Sequence, residues 1–302
     1  MSDRIVLAAK EAEWGSLHGK LLACRRYLAR NPALIAGLVL LGALAAFAGL
    51  GRLFVDVSTA APLSGPAAAP PSADFPFGTD SQGRNLLAVM IEGTWLTIRT
   101  GLIAGALGIV AGGALGLTSA YVGGATDKAI TWSIDVLLTV PAILFLVMIS
   151  SVVQTGLTSI GMALIIAALA WRRPARQIRS QMLVMRSSGY VDMARLGGAG
   201  VLRIVFFEIA PNLLPFLVSA FVTAVAAAIL ASVGLEAMGL GPQNEPTLGM
   251  TIFWIMSFSA FLQGLWWWIL PPVMILIVLF VGLYLINAGL DELSNPRLRR
   301  RA

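Results

Sequence analysis

Cysteine and histidine are almost absent from this sequence, with Cys24 and His18 as single representatives among 302 residues. One cysteine excludes a disulfide bond within the chain, and two such residues are too few for a multi-ligand metal site. A catalytic Ser–His or Cys–His pair is not expected either, because the single histidine lies near the start of the chain. We therefore expect His18 to be a solvated residue and the chain to hold no metal ion.

Lysine is scarce as well, and Lys10, Lys20 and Lys128 are the whole set. None of them follows a glycine loop of the form GxxxxGK with Ser or Thr after it, the loop that cradles nucleotide phosphates in many ATP-hydrolysing proteins. The sequence therefore gives no ground for ATP hydrolysis. We predict that the chain is not an enzyme and has no cofactor of its own.

Charged residues make up only 12% of the chain, whereas hydrophobic residues make up 58% and the mean hydropathy is +0.84. So little polar surface cannot cover a globule in water, so the solvent of this chain is a lipid bilayer. The net charge of +6 could indicate nucleic-acid binding. The basic residues stand beside the apolar runs, however, where they act as topology signals, and we predict no nucleic-acid partner.

Six apolar runs approach the ~20 residues that cross ~30 Å of hydrocarbon. They lie near residues 32–54, 96–122, 129–152, 159–171, 213–235 and 269–287. The predicted fold class is an all-α integral membrane protein with about six transmembrane helices, of which the last five form a core over 96–290. The first run follows a polar segment that is long for a signal peptide, so we expect this helix to be retained.

Basic residues are distributed unevenly between the segments that join these runs. The segments richest in Lys and Arg are 1–31, 172–210 and 291–302, a basic tail. Only three of the 21 basic residues, Arg52, Arg84 and Arg99, fall on the other side of the membrane from these segments when six spans are assumed. This bias predicts that both termini and the loop 172–210 are cytoplasmic, and that the Pro- and Ala-rich segment 55–95 is extracytoplasmic.

Glycines recur along the second apolar run at spacings of four, three, four and four residues. They are Gly101, Gly105, Gly108, Gly112 and Gly116. This spacing places all five on one face of a helix, where the missing side chains let a neighbouring backbone approach closely. We predict a helix-packing face.

Asp135 and Pro141 interrupt the third apolar run. An ionisable group deep in lipid costs ~2.5 to 3.5 kcal/mol, so Asp135 should lie near the inner boundary or face protein. A functional ion site at Asp135 is the alternative. Pro141 is expected to kink this helix, or neighbouring groups are expected to bond the carbonyl that the missing proline N–H leaves free.

Aromatic residues cluster before the sixth run. Phe253, Trp254, Phe258 and Phe261 could form a re-entrant or an interfacial element. The run Trp266 to Trp268 is predicted to mark a membrane interface. Stacking of these tryptophans on a sugar is a second interpretation.

The stretch 189–212, GYVDMARLGGAGVLRIVFFEIAPN, is the longest polar interruption in the second half of the chain. Asp192 and Arg195 are three residues apart and can pair on one helix face. Gly197, Gly198 and Gly200 then permit positive φ and a sharp turn. A second short helical segment, 201–209, leads to Pro211 in the first turn of a new helix. We predict a helix, a glycine turn and a helix outside the bilayer.

This stretch resembles the cytoplasmic coupling loop of ABC-importer permeases, whose signature begins with Glu-Ala-Ala, continues to a glycine and closes on Leu-Pro. Asp192-Met193-Ala194 stands in the first place, Gly198 falls on the glycine, and Ile209-Ala210-Pro211 closes the motif. The departures are Asp for Glu, Met193 for the middle Ala, and Ala210 for Leu. The acid, the glycine and the proline are kept.

Further elements resemble the C-type permeases of the dipeptide, oligopeptide and nickel importer family. They lie in chain order at 77–85 (FGTDSQGRN), 119–127, 171–179, 238–250 and 291–301 (DELSNPRLRRR). Asn85 stands where that family has Asp, and Pro174 where it has Tyr. Asp80 and Arg84, which flank a glycine, also suit a fixed turn, so a structural role is at least as well supported as a substrate contact.

The resemblance implies a type I ABC-importer permease fold in a bacterial inner membrane. It implies half of a translocation pathway for a small solute, with a peptide favoured over an oligosaccharide, opine, glutathione or nickel complex. It also implies three kinds of partner: a second, homologous permease, two nucleotide-binding ATPase subunits that hold ATP and Mg²⁺, and an extracytoplasmic substrate-binding protein. An ion-coupled secondary transporter is the alternative, with Asp135 as its ion site.

The same resemblance assigns residues to coupling with the ATPase. They are Tyr190, Asp192, Ala194, Arg195, Gly198, Ala199, Arg203 and Glu208. Replacement of Gly198 by Pro or Trp is predicted to uncouple ATP hydrolysis from uptake while the subunit stays in the membrane.

Overall fold

The computed structural model describes residues 31–152, 157–200 and 203–294, and the regular structure in these ranges is helical. Predictions for the N-terminal residues, His18 and Cys24 among them, and for the end of the basic tail lie outside the described residues. The helices are α1 (Pro32–Phe54), α2 (Leu86–Val122), α3 (Gly124–Thr139), α4 (Ala142–Val152), α5 (Ser159–Ala170), α6 (Arg172–Arg186), α7 (Gly189–Leu196), α8 (Ala210–Ala237), α9 (Leu248–Ser257) and α10 (Trp266–Ser294). A 3₁₀ turn at Val57–Ala60 and a π turn at Ile204–Ile209 complete the set.

Within the described ranges, four helices are long and apolar enough to cross a membrane by themselves, and a fifth span arises if α3 and α4 are counted together. The predicted fold class is confirmed, and length and hydropathy alone identify four or five of the about six expected spans in these ranges. The predicted span that does not meet this length is α5, which has 12 residues. Such a helix extends ~18 Å at 1.5 Å per residue, well short of ~30 Å of hydrocarbon. The second short apolar helix is α9, with 10 residues.

The second long helix begins at Leu86, ten residues before the predicted start at 96. Asn85 causes the early start, because its backbone is extended and its side chain accepts a hydrogen bond from the Leu87 N–H, as an N-cap does. The segment between α1 and α2 is therefore 55–85, not 55–95.

The third predicted span is broken. Its two parts, α3 and α4, meet at an angle of 82°. Pro141 lies in the break, directly before α4, which agrees with the predicted kink. The first part also begins at Gly124 instead of 129, because Gly123 has a φ of +67° and ends α2 there.

The glycine face of α2 lies against three other helices, and all five glycines are buried. Gly101 and Gly105 face α8: a Cβ atom at Gly105 would lie 2.7 Å from Cγ2 of Val225. Gly108 faces the end of α5, where a Cβ atom would lie 2.8 Å from that of Ala170. Close approach of the backbones is the reason that glycine is required at these positions.

The two remaining glycines of this face hold α6 against α2. A Cβ atom at Gly112 would lie 2.7 Å from the Trp171 carbonyl oxygen, and one at Gly116 would lie 2.6 Å from that of Ala175. Because both clashes would be with backbone atoms, a side chain at either position would force the two helices apart.

The segment 55–85 is held by a turn built on Asp80. Its carboxylate accepts hydrogen bonds from the N–H groups of Gln82 and Arg84, at 2.9 Å each, and from Nε of Arg84 at 2.7 Å. Gly83, between them, has a φ of +71°. Asp80 and Arg84 are both buried, so these contacts give the pair the structural role that the sequence allowed.

The three tryptophans at the start of α10 do not all mark a membrane interface. Trp268 is fully buried, and Trp267 packs beside Gly78 and donates a hydrogen bond to the Thr79 carbonyl. Only Trp266 is largely exposed, at 61%. Trp267 packs against the segment 55–85, and Trp268 lies in a cluster with Leu86, Ile255 and Leu265, so of the three only Trp266 is free to contact a membrane interface.

Candidate functional site

The arginine-rich first part of the predicted cytoplasmic segment, residues 172–186, is a packed helix, α6. Arg172 is buried, with its guanidinium donating to the carbonyl oxygens of Leu169 and Leu137. Carbonyl groups at the end of α5 and near the end of α3 thus replace water around this charge.

Arg179 ties α6 to α3 through a two-pronged ion pair. Its Nε and Nη2 atoms each lie 2.6 Å from an oxygen of Asp127. These hydrogen bonds raise the pKa of the Arg179 guanidinium above its ordinary value. Asp127 also accepts a hydrogen bond from Ser119 at the end of α2, so three helices meet at this carboxylate.

Asp135 lies on the same surface and pairs with Arg176 at 3.4 Å. Both side chains are exposed, at 51% for Asp135 and 66% for Arg176. Asp135 is therefore paired by its own chain at a surface, and the structure gives no support to a buried ion site there. The pair is a second link between α3 and α6.

The short helix α7 lies on this base. Val191 is fully buried, in a cluster with Ala120 at the end of α2 and Met182 of α6. Ala194 and Ala199 are partly buried against the same cluster. These contacts fix one face of α7, so it cannot rotate freely on the bundle.

Asp192 and Arg195 lie beside this buried face, with exposed side chains, and form an ion pair at 3.2 Å. The predicted pairing at a spacing of three residues is confirmed. Both side chains remain about half accessible, at 59% and 47%. Such a pair contributes little to stability, ~0 to 1 kcal/mol, so it is available for contacts with another molecule.

Among the three glycines that were expected to allow positive φ, only Gly198 uses it, with a φ of +77°. Gly197 has a φ of −73°, and Gly200 is not among the residues with positive φ. The turn closes through hydrogen bonds of 3.0 Å from the Gly198 N–H to the Arg195 carbonyl and from the Ala199 N–H to the Ala194 carbonyl. One left-handed residue is enough to end α7.

The chain then continues from Arg203 through the π turn Ile204–Ile209 directly into α8. The predicted second helical segment before Pro211 is present as this π turn, and Pro211 lies in the first turn of α8 as predicted. Pro211 has no N–H group to bond the carbonyl four residues earlier, and the wider π turn occurs where that α-helical bond is missing. Asn212 donates to the Glu208 carbonyl at 2.7 Å and so bonds one carbonyl of this turn. Arg203 is exposed, and Glu208 is partly buried.

Three apolar side chains on this surface were not among the predicted contact residues. Met193 and Leu196 of α7 are 69% and 83% exposed, and Phe207 is 75% exposed. Tyr190, which was predicted, lies beside them and is 39% exposed. The spacing of Met193 and Leu196, opposite Val191 and Ala194 on the helix, was the signal that could have identified them. We call Tyr190, Met193, Leu196 and Phe207 the apolar tip.

A second polar centre lies at the other end of the bundle and was missed entirely. Glu236, at the end of α8, is fully buried and accepts hydrogen bonds from Ser232 at 2.6 Å and from Thr247 at 2.7 Å. Thr247 also caps the start of α9. Glu236 therefore joins α8 to α9. Within the described ranges, no three His, Cys, Asp or Glu side chains form a group that could hold a metal ion.

Replacement of Glu236 by Ala is expected to destabilise the protein by about 2 kcal/mol, because two buried hydroxyl groups lose their acceptor and a cavity remains. Glu236→Gln keeps the shape and one acceptor oxygen, so its effect should be close to zero. The measurement is the unfolding midpoint of the detergent-solubilised protein. Equal midpoints for the two variants would show that the carboxylate does not hold α8 to α9.

Comparison with known proteins gives the family. The model of the binding-protein-dependent transport system inner membrane component matches residues 104–300. The dipeptide transport system permease protein DppC of Haemophilus influenzae is 30% identical over 224 residues, which cover 74% of each chain. The oligopeptide transport system permease protein OppC of Mycobacterium bovis is 27% identical over 288 residues, covering 92% of this chain and 94% of its own.

A solved structure supports the same assignment at the level of the fold. A chain of the MetNI methionine ABC transporter, in an inward-facing conformation, superimposes with a TM-score of 0.55 at 19% identity, covering 68% of this chain and 94% of that one. The fold is thus that of a type I importer permease, and the chain is a multi-pass membrane protein. The chain belongs to the family of inner membrane components of binding-protein-dependent transport systems, the permeases of ABC importers.

Proposed function

We propose that this chain is one of two permease halves of an importer for short peptides, and that the apolar tip and the charged face of α7 dock on an ATPase subunit. Peptides are the solutes named for the dipeptide and oligopeptide permeases to which the chain is similar. The observation that carries the proposal is a helix with one face locked into the bundle and the other exposed and apolar.

The position of α7 suits the transmission of force. Its buried face contacts the C-terminal end of α2 and the side of α6. Gly112 and Gly116 hold α6 tightly to α2, and Arg179 holds it to α3. A push on α7 therefore moves several helices together instead of bending one loop. In the proposed cycle, ATP-driven closure of two ATPase subunits moves α7, and the pathway opens outward; hydrolysis returns it inward.

The predicted coupling residues take two roles in this proposal. Tyr190, Asp192, Arg195 and Arg203 are exposed and contact the ATPase, together with Met193 and Leu196. Ala194, Gly198 and Ala199 set the turn that orients them, and Glu208 accepts the Asn212 hydrogen bond in the π turn through its carbonyl.

The complete transporter in this proposal contains a second, homologous permease, two ATPase subunits that bind ATP and Mg²⁺, and an extracytoplasmic substrate-binding protein. It lies in a bacterial inner membrane, with both termini of this chain on the cytoplasmic side. The positive-inside distribution of Lys and Arg supports this orientation. The ion-coupled alternative loses its support, because Asp135 is paired with Arg176 at a surface.

Replacement of Leu196 by Glu tests the docking surface. A charge at this position should lower ATP-driven peptide uptake by roughly tenfold and weaken co-purification of the ATPase subunits, because the apolar contact would be lost. Leu63→Glu is the matched control: Leu63 is 91% exposed but belongs to the segment 55–85. Leu196→Met should behave as wild type. If Leu196→Glu retains both the ATPase subunits and full uptake, the proposed surface is not the docking site.

A further inference from the structure

Three arginines fall in the part of the chain that is predicted to lie towards the outside, and the structure separates one of them from the others. Arg52 pairs with Glu92 at 2.6 Å, and Arg84 pairs with Asp80 at 2.7 Å. Arg99 makes no ion pair with any residue that the structure describes. Its charge is therefore not balanced by a direct carboxylate contact in the described part of this chain.

The contacts of the Arg99 guanidinium leave most of its donors unused. Its Nη2 atom donates to the Ser159 hydroxyl at the start of α5. Its Nε atom is buried and has no hydrogen-bond partner among the described residues. The carboxylate of Glu245 accepts a hydrogen bond from the Ser159 N–H at 3.1 Å. It forms no ion pair with Arg99. A guanidinium has five N–H donors.

Arg99 is partly buried and lies between the start of α5 and the face of α2 that the described part of this chain leaves uncovered. Trp95, Leu102 and Val110 occupy the same face at helical spacing and are 40%, 45% and 69% exposed. The glycine face on the other side of the helix is covered by α5, α6 and α8. No charged residue follows Arg99 in α2, so it lies where the uncharged part of the helix begins.

A charged side chain that faced hydrocarbon from this position would be costly, and such residues face protein or a water-filled pathway. The uncovered face of α2 at the level of Arg99 is therefore a place where solute or another subunit, and not lipid, meets this chain. A guanidinium with free donors suits a carboxylate, because its planar fork matches the two oxygens.

We propose that Arg99 lies at the mouth of the translocation pathway and binds the carboxylate of the solute, the C-terminal carboxylate of a short peptide. This inference rests on the proposed function. It adds a site within the membrane domain, distinct from the docking surface on α7, that distinguishes peptides with a free C-terminus from those without one.

Binding of two matched probes tests this site. The complex of both permeases with the ATPase subunits, in nanodiscs and without binding protein, is titrated with trialanine or with trialanine amide, followed by saturation-transfer NMR. Arg99→Gln should weaken trialanine binding by about tenfold and leave trialanine amide unchanged, because only the free acid uses the guanidinium. Arg99→Lys should be intermediate, since it keeps the charge and loses the fork. Lys128→Gln removes an exposed charge in the first part of α3, which follows the C-terminal end of α2, and should have no effect.

Two other results would overturn the inference. Equal binding of trialanine to the wild-type complex and to Arg99→Gln, or no binding by either, excludes a carboxylate site at Arg99. Loss of the second permease from purified Arg99→Gln shows that Arg99 pairs with a carboxylate of that subunit instead. ATP-driven peptide uptake by the wild-type complex is measured in parallel. If that uptake is present while the binding result is negative, the inference fails and the proposed function stands; if uptake is absent, the proposed function itself fails.

Discussion

Gly112→Val is expected to destabilise the protein by about 3 kcal/mol or more, whereas Gly113→Val is expected to leave its stability nearly unchanged. A Cβ atom at Gly112 would lie 2.7 Å from the Trp171 carbonyl oxygen and 2.9 Å from the Ala175 backbone nitrogen. Backbone atoms cannot rotate away as a side chain can, so α6 would have to leave α2. At Gly113 the Cβ atom would meet only the end of the Ile178 side chain, at 3.7 Å, which is an ordinary contact.

The two variants form a matched pair, because they place the same side chain at adjacent positions of one helix. The measurement is the amount of monodisperse protein after detergent extraction, together with its unfolding midpoint. A cost of 3 kcal/mol is a large part of the stability of a protein, so little folded Gly112→Val should be recovered. Similar recovery and midpoints for the two variants would contradict the close contact between α2 and α6.

Gly198→Pro is expected to lower ATP-driven uptake by about a hundredfold while the subunit remains folded in the membrane. Proline fixes φ near −65°, whereas Gly198 has a φ of +77° and an N–H group that bonds the Arg195 carbonyl. A cost of ~3 kcal/mol for the native turn leaves the docking conformation less than about 1% populated. The bundle itself is spared, because nothing packs within 4 Å of a Cβ atom at this glycine.

Three further variants separate the backbone effect from a steric one. Gly198→Ala meets no neighbour but keeps an unfavourable φ, which costs roughly 1 to 2 kcal/mol, so its uptake should fall by about tenfold. Gly189→Ala also meets no neighbour and has no positive φ, so it should transport as wild type. Gly198→Trp should resemble Gly198→Ala, since the position is open. Uptake and ATP hydrolysis are measured in proteoliposomes; normal uptake by Gly198→Pro would remove this turn from the coupling mechanism.

Local patterns in the sequence predicted the features that depend on local geometry. The helix α1 occupies Pro32–Phe54, the range of the first apolar run. The five glycines of α2 recur every three or four residues and lie on one buried face. Asp192 pairs with Arg195, and the chain turns at Gly198. In each case the helical repeat or the steric freedom of glycine is sufficient to fix the arrangement.

Helix ends were less predictable than helices. Hydropathy placed the start of α2 near residue 96. Asn85 caps the helix instead, so that it begins ten residues earlier, at Leu86, and includes Glu92. Arg52 neutralises that acid from α1, a contact that no window along the sequence contains. The hydropathy of residues 159–171 predicted a membrane span. In the structure this run forms α5, which has only 12 residues and is followed directly by α6.

By itself the sequence determined the solvent, the helical class and the turn at Gly198, because hydropathy and φ preferences act over a few neighbouring residues. The tertiary structure decided which polar groups are buried. Thr247 of the following segment donates a hydrogen bond to Glu236, a carbonyl of α3 accepts one from Arg172, and Trp268 packs in a cluster with Leu86, Ile255 and Leu265. Burial of a polar or aromatic side chain depends on partners from other helices, whose positions only the folded chain fixes.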